Sequence, residues 1–207
     1  MQIILIHGMG RTRRSMAPLG DYLTRQGHTA RYFGYVAAVE PLAQIARRLA
    51  RYVRGWAAGQ PYALVTHSLG GILTRAALPD LADCPPRQVV MLAPPNCPPL
   101  LARRLGGNPL FQLATGDCGR RLGDQRFYDQ LAPAYVPVAI VAGTAGPRGR
   151  WSPFGAELND GVVAVAETRL TGAPEPRLVP AVHTLIMRSP QVARFVAEQL
   201  ELAKVGE

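Results

Sequence analysis

Short apolar runs alternate with longer amphipathic stretches along this chain, and their two periods predict its elements. Ile3–Ile6 is a continuous apolar run, Gln2–Ile6 reads as a buried strand, and residues 29–35, 62–66, 88–92, 136–142 and 177–181 read as further strands. Leu42, Ile45, Leu49 and Val53 recur at helical spacing and predict a helix over 41–56. Ser15 is the expected cap of a helix running to about Gln26, residues 69–78 form a helix that Pro79 stops, and a closing helix runs from Pro190 to about Ala203. Strands that alternate with helices predict an α/β fold, with a mostly parallel central sheet and helices on both faces. Between 93 and 133 the rhythm breaks into a stretch rich in Pro, Gly and Arg, with short helices at 99–105 and 124–131. A small cap or substrate-contacting excursion is expected there. No repeat or linker divides the 207 residues, so 1–207 reads as one domain.

The strongest local signal is Thr66-His67-Ser68-Leu69-Gly70-Gly71, set between a predicted strand and a predicted helix. This is the context of a nucleophile elbow, in which a serine sits on a strained turn and small residues two positions to either side let the backbone fold sharply. Gly70 meets that demand, and Thr66 stands where the pattern has its first glycine. A serine hydroxyl needs a base to take its proton, usually an imidazole held by a carboxylate. His67 adjoins Ser68 and is expected to pack beside the turn; His28 reads as a solvated loop residue at the opposite end of the sheet. His7 opens His7-Gly8-Met9-Gly10 after the first strand. His183, between the last predicted strand and the last helix, is the expected base. Asp160, in Asn159-Asp160-Gly161-Val162-Val163, best fits the orienting acid, with Asp129, Glu157 and Glu167 as rivals. Backbone N–H groups of Met9 and Leu69 are placed to receive a developing oxyanion. The loop at His7 lacks the Lys-Ser/Thr of a phosphate-binding loop and the third glycine of a dinucleotide fingerprint, so no cofactor is expected.

Composition narrows the picture further. Hydrophobic residues make up 48% and charged residues 18%, and no apolar run approaches the roughly 18 residues that span a bilayer. The first apolar stretch has neither a basic leader nor secretory length, so a cytoplasmic protein is expected. Cys84, Cys97 and Cys118 form no CxxC pair, which argues against a disulfide framework or a zinc site. The formal charge of +9 comes almost wholly from scattered arginines, Lys204 being the only lysine. Arg47, Arg48, Arg51 and Arg54 are spaced for a solvated basic helix face. No nucleic-acid partner is expected from it, and weak association with anionic membrane surfaces is the most it implies.

Taken in chain order, the loop at 7–10, the elbow at 66–70, the acid of Asp160-Gly161-Val162-Val163 and the C-terminal His183 resemble the α/β-hydrolase family, especially compact bacterial lipases and esterases without a large lid. The resemblance covers nearly the whole chain. It implies Ser68, Asp160 and His183 as a catalytic triad, the Met9 and Leu69 backbones as oxyanion hole, no cofactor or metal, and a small-molecule or lipid ester cleaved through an acyl-enzyme. A thioesterase or amidase would use the same machinery, and a catalytically silent binding module the same fold. Leu100, Leu101, Leu105, Leu110, Phe111, Trp151 and Phe154 are the residues from which an acyl-binding wall is expected.

Overall fold

The computed structural model describes residues 1–205. Its strands are β1 (Gln2–Ile6), β2 (Thr29–Phe33), β3 (Tyr62–His67), β4 (Gln88–Leu92), β5 (Val138–Gly143) and β6 (Arg177–Val179), joined in one parallel sheet of order β2-β1-β3-β4-β5-β6. Because strand side chains alternate faces, each apolar run divides between two cores. Ile4, Ile6, Leu64, Met91 and Ile140 enter one, while Ile3, Leu5, Val65, Val90 and Val141 enter the other. The first core is covered by α2 (Leu42–Ala57) and α3 (Leu69–Ala77), the second by α1 (Ala17–Arg25) and α8 (Pro190–Val205). A run apolar at every position is thus what a sheet buried on both faces requires.

Chain direction across the sheet sets the place of the site. From β1 the chain moves outward to β2, then returns to β3 on the other side of β1 and continues away through β6. Such a reversal leaves a crevice at the carboxyl ends of the two strands flanking it, because their outgoing loops diverge. Those loops begin at His7 and Ser68.

Several boundaries differ from the sequence expectation. Ser15 is not a helix cap: residues 13–16 form a 3-10 turn, and the Ser15 hydroxyl donates to the Thr12 carbonyl at 2.8 Å. The second strand stops at Phe33, and the Tyr35 N–H turns to His7 Nε2 at 3.4 Å. Pro137 offers no N–H, so β5 starts at Val138. Pro79 lies inside a 3-10 turn, Leu78–Leu81, and α3 ends before it.

The main omission is α5 (Pro109–Leu122), which falls between α4 (Leu100–Leu105) and α6 (Gln125–Gln130) in the excursion. Asn108 caps it, its Oδ1 accepting from the N–H groups of Leu110 and Phe111, and Pro109 occupies the first turn, where its missing N–H costs nothing. At Gly116 the helix kinks at φ 57°, and a Cβ there would meet the Ala38 carbonyl at 2.5 Å. The Leu42 N–H donates to Asp117 Oδ2 at 3.0 Å, while Cys118, Leu122, Phe127 and Tyr128 enter the first core. The excursion is therefore anchored to the main body along its length.

Candidate active site

Ser68 follows β3 at φ 51° and ψ −122°, a conformation a non-glycine residue adopts only under local strain, and α3 starts at the next residue. Its N–H donates to the Leu92 carbonyl at 2.9 Å, pinning the turn to β4. Close packing makes the sharp turn feasible. A Cβ on Gly70 would lie 2.8 Å from the Ile6 carbonyl oxygen, and one on Gly8 would lie 2.8 Å from His67 Nδ1. Thr66 is fully buried, so a short side chain is accommodated at the position where the pattern has glycine.

The hydroxyl of Ser68 lies 2.9 Å from His183 Nε2, and His183 Nδ1 donates to Asp160 Oδ2 at 2.7 Å. The bond to the carboxylate assigns the Nδ1–H tautomer, which leaves Nε2 as an acceptor facing the serine. Asp160 is held in turn. Its Oδ1 accepts the N–H groups of Val162 and Val163 at 2.9 and 2.8 Å, and its carbonyl accepts the His183 N–H at 2.9 Å. Residues 160–164 form a turn closed by the bridge between Asn159 and Ala164, followed by α7 (Val165–Thr168). Asn159 shapes it from within, accepting the Gly161 N–H at 2.9 Å and donating to the Pro147 and Glu157 carbonyls. His183 opens a 3-10 turn, His183–Arg188.

The turn after β1 packs against the serine, where a Cβ on Gly8 would lie 3.0 Å from Ser68 Cβ. As the first residue of α3, Leu69 has an N–H that no carbonyl one turn earlier can receive. Arg11 N–H donates to the Gly8 carbonyl at 3.3 Å and closes a turn around Met9 and Gly10, with Gly10 at φ 66°. His7 holds that turn: its Nδ1 donates to the Gly8 carbonyl at 2.8 Å, its ring stacks on Tyr35 at 4.3 Å, and the Tyr35 hydroxyl donates to the His7 carbonyl at 2.7 Å.

The other acids stand apart from this relay. Asp129 is exposed and accepts from Gln125, and Glu157 is exposed on the preceding loop. Glu167 joins two helix starts, accepting from Leu100 N–H at 2.6 Å and Ala164 N–H at 2.8 Å, and burial raises its pKa. His28 is at the far end of the sheet but is buried, 3.5 Å from Glu201, rather than solvated. The expected acyl wall does not form as one surface. Phe154 is core, whereas Leu110 and Trp151 face solvent, Trp151 beneath the Arg150 guanidinium. A separate cleft beside the His7 turn is walled on its apolar side by Tyr35, Val36, Ala37, Ala38 and Ala114. On the expected basic face, Arg48 pairs with Glu40 and Arg54 with Asp83. The three cysteines are free thiols. Among the described residues, no helix is long and apolar enough to cross a membrane, and no group of three or more His, Cys, Asp or Glu side chains is placed to hold a metal.

His67 has a role that its sequence neighbours do not announce. It is buried, and its Nε2 donates to the His183 carbonyl at 3.0 Å, fixing the backbone of the histidine loop. Burial pushes its pKa well below 6.5. An unfolded chain takes up this proton below about pH 6.5, and the folded chain refuses it; stability is therefore fully present above that pH and lost as pH falls. His7, its pKa lowered by burial, adds to the same trend. Unfolding free energies from urea titrations at pH 7.5, 6.5 and 5.5 should fall in that order, with a slope approaching about 1.4 kcal/mol per pH unit from His67 alone, and His67→Gln should flatten it.

A model of the alpha/beta hydrolase family matches residues 3–205. No protein in a search of curated sequences matches the chain. Among solved structures, the fold is similar to a Bacillus licheniformis lipase in its mature form, at a TM-score of 0.77 and 19% identity, covering 98% of this chain and 91% of that one. It is also similar to a Legionella pneumophila phospholipase, at a TM-score of 0.68 and 24% identity over 82% of this chain and 44% of that one. A thioesterase from the prodiginine pathway of Streptomyces coelicolor matches at a TM-score of 0.58 and 15% identity, over 98% of this chain and 90% of that one. At identities this low the likenesses establish the fold alone.

Proposed function

The chain belongs to the alpha/beta hydrolase family, and from that membership we propose that it is a serine hydrolase that cleaves carboxylic esters through an acyl-enzyme. The observation that carries this reading is the hydrogen-bonded sequence Ser68 Oγ, His183, Asp160, with spacings of 2.9 and 2.7 Å, mounted on a strained elbow at the sheet's switch point. Ser68 Oγ attacks the ester carbonyl while His183 Nε2 takes its proton. The carbonyl oxygen becomes an oxyanion facing the N–H groups of Met9 and Leu69, and Asp160 steadies the imidazolium. Collapse of the adduct breaks the bond to the alcohol, which leaves with the proton from His183. Water then gives a proton to the same nitrogen and attacks the acyl-serine, releasing the acid and restoring the hydroxyl.

Hydrolysis of p-nitrophenyl esters from acetate to palmitate tests the reading, with fluorophosphonate labelling of the same preparation as a measure of serine activation. Turnover with a chain-length optimum is the expected result; a protein that labels with the probe but turns over no ester would shift the assignment to another acyl bond. The likeness to a thioesterase supports a thioester as the second candidate bond. Acyl thioesters of matched chain length are the corresponding substrates.

A further inference from the structure

Beside the turn that carries Met9 lies an open cleft of about 410 Å³, bounded by Gly10–Arg13, by Gly34–Ala38 and by Ala114 of α5. Most of its lining is apolar, yet two arginines stand on one edge. Arg11 is half-buried and donates from Nη2 to the Thr184 carbonyl at 2.5 Å, next to His183 in the chain. Its charge also disfavours protonation of His67, which places the guanidinium within electrostatic range of the histidine pair. Arg13 is exposed, and its Cδ lies 3.8 Å from where a Cβ on Gly34, in the opposite wall, would sit.

Arg11 and Arg13 are the two arginines that line this cleft, and their surroundings contrast with those of the ion-paired arginines. Arg48, Arg54, Arg120 and Arg169 each hold a carboxylate, whereas no carboxylate among the described residues pairs with Arg11 or Arg13. A guanidinium has five N–H donors in a rigid fork, and the Thr184 carbonyl engages only one edge of that of Arg11. The positive charge at this mouth therefore has no carboxylate partner, and the bond from Arg11 to Thr184 sets it beside the loop that carries His183. We propose that the cleft selects esters carrying an anionic group, a carboxylate or a phosphate, close to the scissile bond, with Arg11 as the recognising residue and Arg13 as an outer charge. The inference rests on Ser68 being the nucleophile.

Two substrate series place the anion on either side of the scissile bond. p-Nitrophenyl butyrate against mono-p-nitrophenyl succinate varies the acyl side; monobutyryl glycerol against monobutyryl glycerol 3-phosphate varies the alcohol side. In at least one series, kcat/KM should favour the anionic member about tenfold at low salt, as charge-assisted hydrogen bonds to a half-exposed guanidinium allow. Raising salt to about 0.5 M should narrow the ratio. Arg11→Ala should erase the preference, Arg11→Lys should keep part of it because the charge remains, and Arg13→Ala should reduce it less than Arg11→Ala does. Equal losses on the neutral and anionic members in Arg11→Ala would overturn the proposal and reduce Arg11 to a tether of the histidine loop. So would a wild type that prefers the neutral ester in both series. Fluorophosphonate labelling keeps the two readings apart: a protein that labels without anionic preference loses only the specificity, and one that does not label loses the nucleophile assignment as well.

Discussion

Ser68→Ala is expected to lower kcat on any ester the wild type hydrolyses by at least about 10⁴-fold and to abolish fluorophosphonate labelling, while leaving the fold intact. Without Oγ there is no acyl-enzyme, and what remains is binding plus the electrostatic help of the Met9 and Leu69 N–H groups. The main chain has little reason to change. Its bonds from Ser68 N–H to Leu92 and from Gly71 N–H to Ser68 do not involve the side chain, and alanine tolerates φ 51° about as poorly as serine does. Circular dichroism and the urea midpoint should therefore match those of the wild type. Retention of a tenth of the activity would remove Ser68 from the mechanism.

Asp160→Asn is expected to lower kcat about 10⁴-fold at neutral pH with little change in KM or stability. An asparagine can keep its carbonyl oxygen toward the N–H groups of Val162 and Val163, so the acid turn stays satisfied. The amide nitrogen then faces His183 Nδ1, and two donors cannot share that contact. The imidazole must move its proton to Nε2, the atom that should accept from Ser68. Asp160→Ala provides the contrast, since it strips acceptors from two backbone groups and should cost about 2 kcal/mol or more of stability in addition to the lost activity. An asparagine variant that retained most of the wild-type rate would show that Asp160 does not orient the base.

The sequence makes the sheet and the site legible for the same physical reason. A strand buried on both faces is apolar at every position, and β1, β3, β4 and β5 stand out from their surroundings. Ser68 and Asp160 follow such strands or the loops leaving them, and His183 follows the short edge strand β6, so their convergence at one edge can be anticipated from order alone. What escaped was encoded locally but without periodicity. The start of α5 carries the Asn108-Pro109 signal, yet Gly116 and Gly119 interrupt its apolar spacing, and the whole segment resembles a loop. Likewise, nothing in the neighbourhood of His28 tells that α8 will cover it, and nothing around Phe154 separates a core residue from a substrate contact. Those distinctions depend on long-range packing that a local window does not contain.

Ser68 and His183 are 115 positions apart, and Asp160 lies 23 positions before the histidine, with α7 and β6 between them. Between nucleophile and base lie β4, the excursion and β5, all of which must be packed before the 2.9 Å contact can exist. Bringing together ends so distant is entropically slow, and local helices form long before it. Activity in a refolding experiment should consequently lag behind the recovery of helical signal, which makes turnover a direct clock for the last stage of assembly.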